Sequence, residues 1–401
     1  MIAVARLSAA ITILDRIISG APAEKALTGW ARQNRYAGSG DRVAIRDLVF
    51  DALRCKRSYA ALGGSETGRG LILGRLLHEG ADPETLFTGT GYAPAALSDV
   101  ERALLAESAA RLAAMPESVR LDYPDWLHAE LAASLGSERA AVMAALQHRA
   151  KVFLRVNPRR AALAQAQAEL AASGVVTCAV PEVKNALEAT ENSRKIASSQ
   201  AYFNGMVELQ DLASQAVVSC LDLPQSGRVL DYCAGGGGKL LAMAAQTEAE
   251  FFAHDANPAR LRDLPARAER AGIHAKILRT EQLRAHGPYD LIFCDVPCSG
   301  SGAWRRAPAG KWALTADRLA ELQQIQAQIL DEAAQLLRPD GQLVYATCSI
   351  LRGENALQIS AFHARHKGYA TEIEQSFSPA AGADGLYVAS VRRVTKLPKT
   401  P

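Results

Sequence analysis

The chain has 401 residues, 49% of them hydrophobic and only 6% aromatic, and its formal net charge is +3. That length exceeds one typical domain, so two or three are expected. No apolar run approaches the ~18 residues of a membrane span, so no membrane partner is expected.

The opening MIAVARLSAAITILDRI reads as an amphipathic helix. Arg6, Asp15 and Arg16 interrupt it, while Ala3, Leu7, Ala10, Ile11, Leu14, Ile17 and Ile18 return at helical spacing. It is therefore not taken for a secretory signal, and a cytoplasmic location follows as an expectation. Helices separated by Gly/Pro breaks continue to about residue 145, giving an all-α domain over 1–145. Residues 1–75 hold 12 Lys/Arg against 6 Asp/Glu, which suits a polyanion partner or a solvated helix face. VFLRVN (152–157), an Ala-rich helix (159–172) and VVTCAV (175–180) predict a small α+β unit over 146–205.

From 206 to 401 strand and helix alternate. RVLDYC (228–233), FFAHD (251–255), KILRT, YDLIFCD and QLVYATCS supply strands, with helices at 258–271 and 315–337, and GLYVASVRRV (385–394) closes the set. This pattern predicts a Rossmann-like α/β domain, a mostly parallel doubly wound sheet with ligands at the carboxyl ends of its strands.

Seven cysteines at 55, 178, 220, 233, 294, 298 and 348 are odd in number and irregularly spaced, with no Cys-x-x-Cys pair. Neither a disulfide framework nor a metal site is expected. Cys55, Cys178, Cys220 and Cys294 read as small buried hydrophobes. Cys298, in DVPCSGSG, and Cys348, in ATCS, lie at strand ends, and both reach one pocket if the strands are neighbours. Asp295 leaves the first of those strands beside Cys298.

CAGGGGK (233–239) joins a strand to a helix. Four glycines admit a tight turn and a close approach to a ligand, or simply a structural turn. Leu240 after Lys239 excludes a P-loop, which needs Ser or Thr there. Asp255 ends the second strand, where an acid accepts hydrogen bonds from ribose hydroxyls, although it also suits a helix cap.

The ordered set VLDYCAGGGGK, HDANPARL, YDLIFCDVPCSGSGAWRRAP-x-x-KW, LLRPDGQLVYATCSILRGEN and DGLYVASVRR resembles the Nol/Nop/Sun family of RNA cytosine-5 methyltransferases. The likeness covers about residues 200–395. PDWL, LRVN and GMVELQD upstream are similar to its bacterial ribosomal RNA subfamily, and the helical domain is similar to a NusB-type RNA-binding domain. The resemblance implies S-adenosylmethionine as cofactor and small-subunit ribosomal RNA as partner. It makes Cys348 the nucleophile and gives Cys298 a role in product release, and Asp295 and Lys239 complete the catalytic set. Cys233, Ala234, Gly235, Gly236, Gly237, Gly238 and Lys239 would cradle the methionine part of the cofactor, with Asp255 on the ribose, Glu281 near the adenine and Asp295 beside them. The chain departs from the family's Ala-Pro at Gly235 and Gly236. Trp304, Arg305, Arg306, Lys311 and Trp312 suggest a rim for RNA bases and phosphates, with Trp312 equally suited to a core. Transfer RNA as substrate and a non-catalytic RNA-binding assembly factor stand as alternatives, and a monomer is expected.

Overall fold

The computed structural model describes residues 1–394. Two compact units emerge, Met1–Arg149 with Trp304–Leu314, and Ala150–Ala303 with the chain from Thr315 onward. Among the described residues of the first unit there are helices and turns but no strand. Helices Ala3–Ile18, Ser39–Arg54 and Gly68–His78 enclose a core that includes Ile13, Leu14, Ile45, Val49, Leu71 and Ile72.

In the second unit, β1 (Val152–Val156), β2 (Val176–Ala179), β3 (Ala186–Glu191) and β4 (Val207–Leu209) form an antiparallel sheet in the order β2-β3-β1-β4. Helix Leu163–Ala172 packs on it through Ala166 and Leu170. The sheet therefore reaches past the expected boundary at 205, because β4 completes it.

β5 (Arg228–Asp231), β6 (Glu250–Ala253), β7 (Ala275–Ile277), β8 (Tyr289–Asp295), β9 (Leu337–Thr347), β10 (Tyr369–Phe377) and β11 (Leu386–Arg393) build a seven-stranded sheet. Its order is β10-β11-β9-β8-β5-β6-β7. β5 to β9 run parallel, and β11 and β10 add antiparallel at one edge. Both faces of the sheet's centre are covered, which is why β5, β6, β8 and the second half of β9 are largely apolar. Val229, Phe251, Leu291, Phe293 and Val344 share one core with helices Gly238–Ala244 and Leu264–Ala271. Leu230, Phe252, Ile292, Cys294 and Tyr345 share the other with helices Ala316–Ala334 and Ala356–Arg365. Each such side chain taken out of water is worth about 1.5–3 kcal/mol.

The structure corrects four further sequence expectations. The helix expected over 258–271 is a short 3-10 turn, Pro258–Leu261, followed by helix Leu264–Ala271, because Pro265 cannot donate into a continuous helix and its ring would meet the preceding turn. β10 was not expected, since its exposed side chains leave few apolar residues to mark it. Cys178 is exposed rather than buried. Finally, Trp304–Leu314 packs with the helical unit. Trp304, Arg305 and Lys311 are buried, Arg54 donates to the Arg305 carbonyl, and Lys311 and Trp312 donate to the carbonyls of Arg54 and Leu53. Burial pushes the Lys311 pKa down to about 8 despite the opposing charge of Asp122. Only Arg306 of that segment's four named cationic and aromatic neighbours from 304 to 311 stays exposed, so these residues build a core rather than a rim.

Candidate active site

The strand order reverses between β5 and β8, since the chain continues from β5 to β6 and β7 on one side and lays β8 and β9 on the other. A crevice opens beyond the carboxyl ends at such a point. β8 and β9 are parallel neighbours, with Asp295 opposite Ala346. Cys298, three residues beyond β8, and Cys348, the residue that follows β9, therefore meet. Their sulfurs are 3.3 Å apart.

The loops carrying the thiols are sewn together. Val296 N donates to the Ala346 carbonyl at 3.1 Å and Gly302 N to the Cys348 carbonyl at 3.0 Å. The two thiols differ electrically. The hydrogen bond from Cys298 holds the Cys348 pKa below the ordinary thiol value; burial, Asp295 and Glu354 oppose this, and Lys239 assists it. The same bond, burial and the charges of Cys348 and Glu354 push Cys298 well above that value. Lys239 acts to lower Cys348, whereas Glu354 raises both thiols, so Cys348 is the more acidic of the two.

Lys239 Nζ donates to Asp295 Oδ2 at 2.6 Å. Burial works against the ammonium charge, but Asp295, by charge and hydrogen bond, holds its pKa above the ordinary lysine value, with Cys348 and Asp231 contributing. Helix Gly238–Ala244 thus delivers its cation to the two strands that carry the thiols.

The glycine turn is braced from several directions. Ala234 N donates to the His254 carbonyl at 2.8 Å and Gly235 N to Asp255 Oδ2 at 3.1 Å. Gln210 Nε2 donates to the Gly238 carbonyl at 3.1 Å, and Arg267 Nη1 donates to that of Gly236. Gly237 has φ +78°, and a Cβ there would lie 2.2 Å from Leu264 Cδ1, so no side chain fits. A Cβ at Gly236 would lie 2.7 Å from Arg267 Nη1. That guanidinium stands where the family's proline would crowd it. Cys233 is half-buried and Ala234 buried, and burial with the charges of Asp231, Asp295 and Asp255 pushes the Cys233 thiol up.

Asp255 is buried and accepts from Asn257 N at 2.9 Å as well as from Gly235, and Arg260 pairs with it at 3.1 Å. Glu281 is exposed in the turn after β7 and pairs with Arg279 at 2.8 Å.

Two site residues escaped sequence reasoning. Asp231 ends β5 and is 1% exposed, and its Oδ1 has no hydrogen-bond partner. Burial, then the charges of Asp295 and Asp255, push its pKa up to about 8, against Lys239 and a backbone N–H at Cys233. An acid closing the strand before a glycine turn was the available signal. Glu354 is 0% exposed and sits under both thiol loops. Nothing in RGEN marked it.

Residues 218–399 match the family model of the 16S rRNA methyltransferase RsmB/F, and residues 123–194 match that of the RsmF/B-like ferredoxin-like domain. The chain carries a methyltransferase domain of the RsmB/F family. It is 35% identical over 250 residues to the ribosomal RNA small subunit methyltransferase B of Vibrio cholerae, covering 61% of this chain and 57% of that one. With the protein of the same name from Erwinia tasmaniensis it shares 31% over 284 residues, covering 67% and 66%. The chain thus spans about three fifths of the Vibrio cholerae relative's length. Among solved structures, PH0851 superposes with TM-score 0.74 at 20% identity over 98% of this chain and 99% of that one. NSun6 from Pyrococcus horikoshii with SFG gives 0.60 at 18%, over 68% and 99%. Both share the fold. Among the described residues no cluster of three His, Cys, Asp or Glu that could hold a metal ion forms, and no helix is long and apolar enough to cross a membrane.

Proposed function

We propose that this chain methylates C5 of a cytosine in RNA, with small-subunit ribosomal RNA as the substrate and S-adenosylmethionine as the methyl donor. The observation that carries the reading is the pair of thiols 3.3 Å apart at the ends of two parallel strands, one of them assisted by a lysine. Membership of the RsmB/F family and the names of its relatives support the substrate class.

The residues present fit the donor. The unpartnered, buried Asp231 Oδ1 offers an acceptor to a cationic ligand, and the Cβ-free turn leaves its backbone open to close approach. Cys233 to Lys239 would hold the methionine part and Asp255 the ribose, once Arg260, whose side chain is 55% exposed, swings aside. When bound, the donor supplies an electrophilic methyl group on a sulfonium.

The chain's own groups do the rest. Cytosine C5 is weakly nucleophilic, and attack of the Cys348 thiolate on C6 turns the ring into an enamine that is reactive at C5. Asp295, a third exposed and held by Lys239, supplies a hydrogen bond or proton at N3. After transfer, the C5 proton is removed and the C6–sulfur bond breaks. Cys298 assists that release. The target base must leave its stack to reach the thiol, and the helical unit, similar to a NusB-type domain, supplies further contact with RNA.

Tritium transfer from labelled donor to RNA tests the reading. Cys348→Ala is expected to abolish transfer with the fold intact, and Cys298→Ala to accumulate a protein–RNA adduct that survives a denaturing gel. An adduct formed by Cys348→Ala instead would reverse the two roles. Donor binding by the wild type without transfer to any RNA would favour an RNA-binding assembly factor.

A further inference from the structure

Glu354 lies in the turn after β9, within the 3-10 segment Arg352–Glu354, and is fully buried. A buried carboxylate is costly unless its lone pairs are filled. Here four donors fill them. Ser299 N and Gln326 Nε2 donate to Oε1 at 2.8 and 3.0 Å, and the hydroxyls of Ser299 and Ser349 donate to Oε2, both at 2.5 Å. Ser299 directly follows Cys298, and Ser349 directly follows Cys348. Gln326 also donates to the carbonyl of Pro297, the residue before Cys298, at 3.0 Å. Ser301 bonds both Ser299 and Ser349, each at 3.0 Å, and accepts from Ile350 N at 3.0 Å. From β9, Tyr345 OH donates to the Glu354 carbonyl at 2.6 Å. The residues flanking both thiols thus converge on one side chain.

We propose that Glu354 is a positioning residue for the methyl transfer proposed above: its carboxylate fixes the loops after β8 and β9 in the register that brings the two cysteine sulfurs together. It touches neither base nor donor in this role.

Charge and position predict opposite signs. The groups that act most on Cys348 are Cys298, Asp295, Lys239 and Glu354; those on Cys298 are Cys348, Glu354 and the backbone N–H of Gly300, and the buried Tyr345 of β9 also feels the Cys298 charge. Glu354's charge raises both thiols, so removing only that charge would lower the Cys348 pKa. Loosening the loops would remove the Cys298 donor and raise it.

The test is alkylation of the full-length chain by iodoacetamide between pH 6 and 10, without RNA or methyl donor, with each cysteine followed by mass spectrometry. Both thiols are partly exposed. Glu354→Gln is expected to move the Cys348 midpoint upward. It should also cut the Cys348-to-Cys298 rate ratio at neutral pH by about tenfold, the factor carried by one pKa unit. A midpoint that moves down, or stays, overturns the proposal. If Glu354→Gln melts far below wild type, the double variant Ser299→Ala with Ser349→Ala decides. It keeps the charge, and an unchanged ratio there overturns the proposal equally. Tritium transfer by the wild type is measured separately, so a chain that never methylates RNA sinks the functional reading without touching the thiol result.

Discussion

The two halves of the crevice are built on different terms. Around the thiols, the hydroxyls of Ser299, Ser301 and Ser349 and both oxygens of Glu354 are all bonded to one another or to neighbouring backbone. Around the glycine turn, support comes from outside, from Gln210, Arg267 and Asp255, and Asp231 keeps one buried oxygen unpartnered. A saturated network holds one geometry and leaves little capacity for a new partner. An unfilled acceptor gains when a ligand arrives. Fixed sulfurs suit covalent chemistry, and an open cradle suits a group that must enter and leave.

Lys239 belongs to both halves, since it leaves the glycine turn and reaches Asp295 and Cys348. Removing it gives the largest expected effect on the comparison. Lys239→Met should slow tritium transfer by about 100-fold or more, the scale of losing a group that moves or positions a proton. It should also raise the alkylation midpoint of Cys348, because the lysine's charge lowers that pKa. A variant with a wild-type midpoint would show that the halves are electrically independent.

Much of this was legible in the sequence for a simple reason. A strand buried on both faces writes itself as an apolar run, and the residues just past such runs must lie at one edge of the sheet. RVLDYC, YDLIFCD and QLVYATCS therefore put Cys298, Cys348 and the glycine turn at one edge, and the thiols in one pocket on the condition that their strands are neighbours, which the sheet order meets. What could not be read depends on partners distant in the chain. Glu354 is defined by Ser299 and Gln326, which no local pattern connects to it. Asp231 closes β5, and although an acid there is visible in the sequence, its missing partner leaves no trace. Trp304, Arg305 and Lys311 looked like a ligand surface because aromatics and cations alternate there, yet the backbone carbonyls of the helix Ser39–Arg54 accept from Lys311 and Trp312. Polar side chains that fill internal acceptors look, in sequence, like those that face solvent.

The unfilled oxygen of Asp231 should appear in the pH dependence of the ligand-free fold. Its folded pKa of about 8 lies above the ordinary 3.8, so between those values the folded state binds the proton that the unfolded state has lost. Stability then falls as pH rises through that window, and the penalty is complete above the folded pKa. Asp231→Asn removes this slope. Chemical denaturation at pH 5 and pH 8 should show the wild type losing a few kcal/mol relative to the variant, since each unit carries about 1.4 kcal/mol. Parallel curves would mean that Asp231 has a partner in solution.

The smallest effect concerns the brace on the turn itself. Arg267→Ala removes the donor to the Gly236 carbonyl and should weaken binding of S-adenosylhomocysteine about three- to tenfold, the net scale of one ordinary hydrogen bond, since the brace acts on the ligand only through the turn. Gly236→Ala places its Cβ 2.7 Å from Arg267 Nη1. That atom is the far end of a flexible side chain, so the guanidinium yields and the same bond is lost. The two substitutions together should then cost no more than either alone, the signature of a shared interaction in a double-mutant cycle. Titration calorimetry of the four proteins measures it. Losses that simply add would mean that Arg267 and Gly236 act on the ligand separately, and that the cradle keeps its shape without a brace.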